Sequence, residues 1–225
     1  MDIAGTCNRL RNQIKQIADD LPCLKSQIDP GDPFASHIVD RVLVAADNAL
    51  GCVVLAEQNL AAPLTSVSRS IFESLLAVYW ASQTEENATI LLNAMDRETL
   101  RLMRLNLDRG HAVIRHKRTG GIHTQEILDS PKMSEAKRPP QIWKMAKEAG
   151  LGKLYDTMYG FMSMFAHGTV TEVLAKRDQR TLISAQLSSA VALLRCINLI
   201  AVLRIQEKRT ASILELESIL MVPLV

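Results

Sequence analysis

The stretch Leu187-Ser-Ser-Ala-Val-Ala-Leu-Leu-Arg-Cys-Ile-Asn-Leu-Ile-Ala-Val-Leu-Arg-Ile205 decides the fold. It is the most apolar segment of the chain. Arg195, Asn198 and Arg204 interrupt it, so it falls short of the ~18 clean apolar residues a membrane-spanning helix needs. The expectation is a buried central helix, with other helices packed around it.

The composition agrees with that expectation. Apolar residues make up 48% of the 225, and the aromatics are only four Phe, three Tyr and two Trp. Such a balance favours helix packing over strand pairing, because sheets draw on β-branched and aromatic residues. A chain this long buries roughly 70% of its unfolded surface, enough for one sizeable core. The 26 basic and 24 acidic residues leave a net charge of +2, which demands neither a nucleic acid nor a membrane as partner. Cys7, Cys23, Cys52 and Cys196 have no paired or framework spacing and read as reduced thiols. Met1 to Leu21 carries acids and bases throughout and lacks the apolar run of a leader. The expected location is the cytoplasm.

Outward from the central helix, the chain divides into helical segments. Residues 2–20 form a polar amphipathic helix with Ile3, Leu10, Ile14 and Ile17 as its stripe. Asp29-Pro30-Gly31-Asp32-Pro33 is a strong break. A long helix runs from about 34 to 59. The next begins near Pro63, which suits a first turn, and extends to about Ser82. Thr84-Glu85-Glu86 opens another, with Thr84 as cap and acids in the first turn, running to about Arg109. Residues 110–140 are a long connection punctuated by glycines and prolines, with a short helix expected at 124–129. Helices resume at about 140–149, 151–167 and 179–207, and a last one covers about 209–221. The fold class is all-α: one up-and-down bundle of about six to eight helices. As one domain it divides into a segment 1–30, a core 34–207 and a C-terminal helix 209–225.

Three groups of polar residues stand out against this apolar frame. Arg69 and Glu73 lie four apart and share a helix face with Leu76 and Trp80. They read either as an ion pair on the edge of the core or as a polar group held inside the bundle. Tyr155, Tyr159, Ser163 and His167 also recur every four residues, and Gly168 follows as a left-handed cap. Phenol, hydroxyl and imidazole on one face make a hydrogen-bonding strip. They equally suit a capping histidine with two tyrosines that pack their rings.

The third group is basic: Arg109, Arg115, Lys117 and Arg118 with His111, His116 and His123. Arg109-x6-His116 and Arg118-x4-His123 resemble the arginine–histidine spacing of the HEPN-type helical ribonucleases. The resemblance implies metal-independent acid–base cleavage at a scissile phosphate, and RNA as a partner. Gly110 and Gly120-Gly121 break the helix on which that motif rides, and a solvated basic loop accounts for the same residues. No phosphate loop, dinucleotide fingerprint, zinc-protease motif or nucleophile elbow is present in the sequence. No His/Cys/Asp/Glu cluster has metal-ligand spacing, so no metal or cofactor is expected. Asp40, Asp47 and Asn48 read as the solvated face of the helix at 34–59.

Taken together, Arg69-Ser-Ile-Phe-Glu73, Trp143, and Tyr155 to Ser163-x3-His167-Gly168 resemble, in their order, an uncharacterised bacterial family, domain-of-unknown-function family 5677. The resemblance covers about residues 36–205. It implies an all-helical bundle in which Arg69, Glu73 and His167 converge as candidate catalytic residues. Tyr155, Tyr159 and Ser163 would accompany them as binding residues. Apart from this resemblance, Arg109, Arg115 and His116 of the basic segment are further candidate binding residues. The resemblance also implies a place among helical bacterial defence proteins. Two functions follow as expectations. One is an effector, a homodimer acting on a protein partner; the other is the metal-independent ribonuclease.

Overall fold

The computed structural model describes residues 2–111, 113, 115–122, 126, 140–166 and 179–220. Among these residues the chain is all-α. Four long helices come first: α1 (Ile3–Ser26), α2 (Pro33–Glu57), α3 (Ala61–Ser82) and α4 (Glu85–Asp108). The short α5 (Ile142–Glu148) follows. Then α6 (Gly152–Leu154) leads through a π-helical turn (Tyr155–Tyr159) into α7 (Gly160–Ala166). The central α8 (Gln179–Val202) ends in a second π-helical turn (Leu203–Glu207), and α9 (Ile213–Leu220) closes the described chain.

Local chemistry sets most of the boundaries. Asp2, Asp32 and Thr84 each accept a backbone N–H in the first turn of α1, α2 and α4. Pro33 sits at the start of α2, where its missing N–H costs nothing. Before α9, Ser212 and Glu215 bond each other's backbone N–H reciprocally. At the far end of α4, Gly110 adopts φ +69°, and the N–H groups of Gly110 and His111 return to Leu107 and Asn106. Gly150 ends α5 in the same way with φ +75°, and a Cβ there would stand 3.0 Å from Ile213. Gly150 thus both stops α5 and lets α9 approach.

Two boundaries depart from the sequence expectation. The first helix continues through Pro22 to Ser26, six residues beyond its expected end. Buried Leu24 and half-buried Leu21 hold that extra turn on the core. The last helix starts at Ile213 rather than 209, because Lys208 turns left-handed at φ +56°.

α8 occupies the middle, against α1, α2, α3 and α9. Leu187, Ala190, Leu193, Leu194 and Ile197 are fully buried along it. They meet Val42, Ala49 and Val53 of α2 and Leu64, Ile71 and Leu75 of α3 in one continuous core. Small residues on α2 allow close helix approach, and the large side chains of α3 and α8 fill the space between. Asp40 and Asp47 face solvent, whereas Asn48, expected on the same face, is half-buried.

The segment Gln179–Glu207 corrects one sequence reading. Its 29 residues, with a mean hydropathy of 1.7 over the best window, are long and apolar enough to cross a membrane by length and composition. Three interrupting polar side chains are too few to lower that average. Within the bundle 56% of that window is buried, as befits a core helix of this length.

Cys7, Cys52 and Cys196 are buried and Cys23 is exposed, all as free thiols. Burial pushes the thiols up, Cys52 to about 11 and Cys196 to about 12. They pack as small hydrophobes.

Candidate functional site

α3 carries Arg69 and Glu73 on the turn before its buried Leu76 and Trp80. Arg69 Nε donates to Glu73 Oε1 at 2.8 Å, the i,i+4 geometry of a helix surface. The side chains are 21% and 34% exposed, so the pair stands at the edge of the core rather than within it. Trp80, further along the same face, is buried and donates its indole N–H to Glu148 of α5 at 2.8 Å. That bond ties α5 to α3, and α7 packs on α3 beside it.

This packing brings the π-helical turn to Arg69. The Arg69 guanidinium donates to the Tyr159 hydroxyl, and its carbon lies 4.4 Å from the centroid of the Tyr159 ring. Tyr155 stacks on Tyr159 with ring centroids 4.5 Å apart and planes within 18°. Glu73, Arg69, Tyr159 and Tyr155 thus form a continuous row from carboxylate to cation to two aromatic faces. Cation–π attraction, a charge-assisted hydrogen bond and ring stacking act on the same four side chains. Desolvation raises the Tyr155 phenol above its ordinary value; the neighbouring Tyr159 raises it further, and the Arg69 charge opposes both. Tyr155 therefore stays a neutral phenol.

The π-helical turn is the local feature that makes the row. A turn closed by i→i+5 bonds is wider than an α turn, and such turns are frequent at functional sites. Here it spans Tyr155 to Tyr159, so both tyrosines of the strip begin and end it. The four-residue spacing suggested a shared face but gave no sign of the wider turn.

The remaining sequence candidates are placed differently. Ser163 is half-buried one turn further along α7. His167 lies outside the described residues, as do Gly168, His123 and most of the expected helix at 124–129. Arg109 is exposed at the C-terminal end of α4. Arg115 and His116 are exposed in a tight turn, where Arg115 pairs with Ile122 in an isolated antiparallel bridge. The Arg115 guanidinium donates to the Gly120 carbonyl, and His116 Nδ1 accepts the backbone N–H groups of Arg118 and Thr119. Arg109 and His116 therefore do not share a helix, because Gly110 ends α4 between them. Trp143 is also exposed, with its indole N–H on Gln141 rather than in the row.

Among the described residues no group of three His, Cys, Asp or Glu side chains is positioned to hold a metal ion. The row has a different chemistry: a partly exposed guanidinium and the ring of half-buried Tyr155 can meet an anionic or aromatic group. No curated protein and no solved structure matches the chain. A family model described as a family of unknown function, DUF5677, matches residues 45–180, well over half of the chain. That span contains α3, the π-helical turn at Tyr155–Tyr159 and every member of the row. The chain belongs to this family of unknown function.

Proposed function

We propose that the chain is a bacterial cytoplasmic effector of a defence or stress response. It acts as a homodimer through contacts with a protein partner, and the row Glu73–Arg69–Tyr159–Tyr155 is its contact site. Ser163 extends the site along the same helix, and His167, outside the described residues, is retained as a candidate from the sequence. The carrying observation is that Arg69 is held from two sides while part of it stays open to solvent. A pre-ordered arginine beside two stacked tyrosines loses little side-chain entropy on binding, and Arg and Tyr are the residue types that dominate protein interfaces.

One observation favours a second reading, a metal-independent ribonuclease. His116 sits exposed in a turn with Arg115, Lys117 and Arg118, a basic surface able to meet a phosphate backbone.

The two readings part in three measurements. Transfer RNA and total RNA incubated with the protein in EDTA should stay intact. Cleavage that disappears in His116→Ala or His167→Ala would establish the nuclease instead. A photo-crosslinking residue at Tyr155 should give a discrete protein adduct that one at exposed Leu214 does not; equal labelling at both positions would overturn the contact site. Sedimentation should show a dimer, and a monomer at every concentration would remove the homodimer.

A further inference from the structure

Two of the polar residues that interrupt the central helix, Arg195 and Asn198, have no part in the row on α3. They line a cleft of about 420 Å³ between α1 and α8, opposite Arg9, Asn12, Gln13 and Gln16 of α1. The volume falls in the range of about 300–1,000 Å³ typical of small-molecule sites. Its polar wall holds two guanidinium groups and four carboxamides, and no described carboxylate lines it. Ile17, Leu199 and Val202 supply an apolar side. All of its lining residues lie outside the span that the family model matches.

One wall residue has an unmet bond. The Gln13 amide nitrogen donates to the Val191 carbonyl at 3.3 Å, which identifies the other end of the amide as the acceptor. That acceptor, Oε1, is buried without a donor among the described residues. An unpaired buried acceptor is unfavourable, and the side chain that carries it lines the cleft.

We propose that this cleft binds a free mononucleotide. Arginine presents planar, paired donors that match a phosphate group, and two of them here face no lining acid. Asparagine and glutamine side chains match the donor–acceptor edges of nucleobases. The apolar residues suit the face of a flat ring. Free amino acids fit poorly, because their ammonium group would meet two cations and no carboxylate. Inorganic phosphate would use the guanidiniums and leave the carboxamides idle.

Isothermal titration of the full chain with AMP, GMP, CMP and UMP tests this, with inorganic phosphate and adenosine as controls. At least one mononucleotide should bind in the micromolar range, more tightly than either control. Arg195→Gln should weaken it about tenfold or more, the size of one charged hydrogen bond. Lys153→Gln, remote from the cleft, should leave it unchanged. Circular dichroism checks that each variant folds, and Arg9→Gln replaces Arg195→Gln should the latter unfold. The proposal is overturned by no binding at millimolar nucleotide, by equal affinity for inorganic phosphate, or by a folded arginine variant that binds like wild type. None of these outcomes bears on the row at α3.

Discussion

Arg69 lies over the ring of Tyr159, a residue ninety positions later, with its guanidinium carbon 4.4 Å from the ring centroid. The same guanidinium bonds Glu73 on its own helix, so α3 and the π-helical turn share one cation. This contact ties the middle of the fold to the segment before α8.

Arg69→Ala should therefore lower stability by about 1–2 kcal/mol, since it removes a partly exposed cation–π contact and two charged hydrogen bonds. Tyr159→Phe keeps the ring and loses only the hydroxyl acceptor, so its cost should be smaller, about 1 kcal/mol or less. Urea unfolding of both variants checks the order. Equal losses would mean that neither the ring contact nor the Glu73 bond contributes.

The two tryptophans should report separately. Trp80 is buried and bonded to Glu148, whereas Trp143 is exposed. Trp143→Phe should leave a blue-shifted emission that moves red only on unfolding. Trp80→Phe should leave a red-shifted emission that changes little. Trp80→Phe should also destabilise by about 1 kcal/mol through the lost indole donor.

His37 should make stability fall in mild acid. It is buried on α2, and its Nε2 accepts from Arg41 Nε at 3.3 Å. Desolvation, then the Arg41 charge, lower its pKa below the ordinary 6.5. The folded protein thus binds this proton less readily than the unfolded chain. The stabilisation is complete above 6.5 and is lost as pH falls through the depressed folded value. Urea unfolding across that window should show the decline, and His37→Gln should flatten it.

Thr84 offers a local test of helix capping. Its hydroxyl accepts the Asn87 N–H at the start of α4. Thr84→Ala should cost about 1 kcal/mol in thermal unfolding, and Thr84→Ser should retain most of that.

Thiol labelling should divide the cysteines. Native protein should react with iodoacetamide at Cys23 alone, while Cys52 and Cys196 react only after unfolding. Their raised values mean that the neutral thiols stabilise the fold until pH passes the ordinary 9.0, after which stability declines toward about 11 to 12.

The helical class, the order of the helices and most of their ends were legible in residues 2–108. Local signals there are strong: Asp32-Pro33, Thr84 with its acids, and stripes at spacings of three and four. Arg69 and Glu73 were legible as neighbours, because four residues on a helix guarantee it. Their union with Tyr159 was not, since it depends on α7 packing beside α3. The π-helical turn had no sequence mark, because it is one shifted hydrogen-bond register in an otherwise helical run. The three polar interruptions of Leu187–Ile205 point to a core helix. Composition alone does not separate that from a membrane span; in the fold, 56% of its most apolar window is buried among the neighbouring helices. The same interruptions acquired meaning only in space, where Arg195 and Asn198 meet the polar face of α1. Short-range chemistry thus set the helices, because their bonds close within a turn. Long-range packing set the sites, because their residues come from helices whose contacts no local pattern encodes.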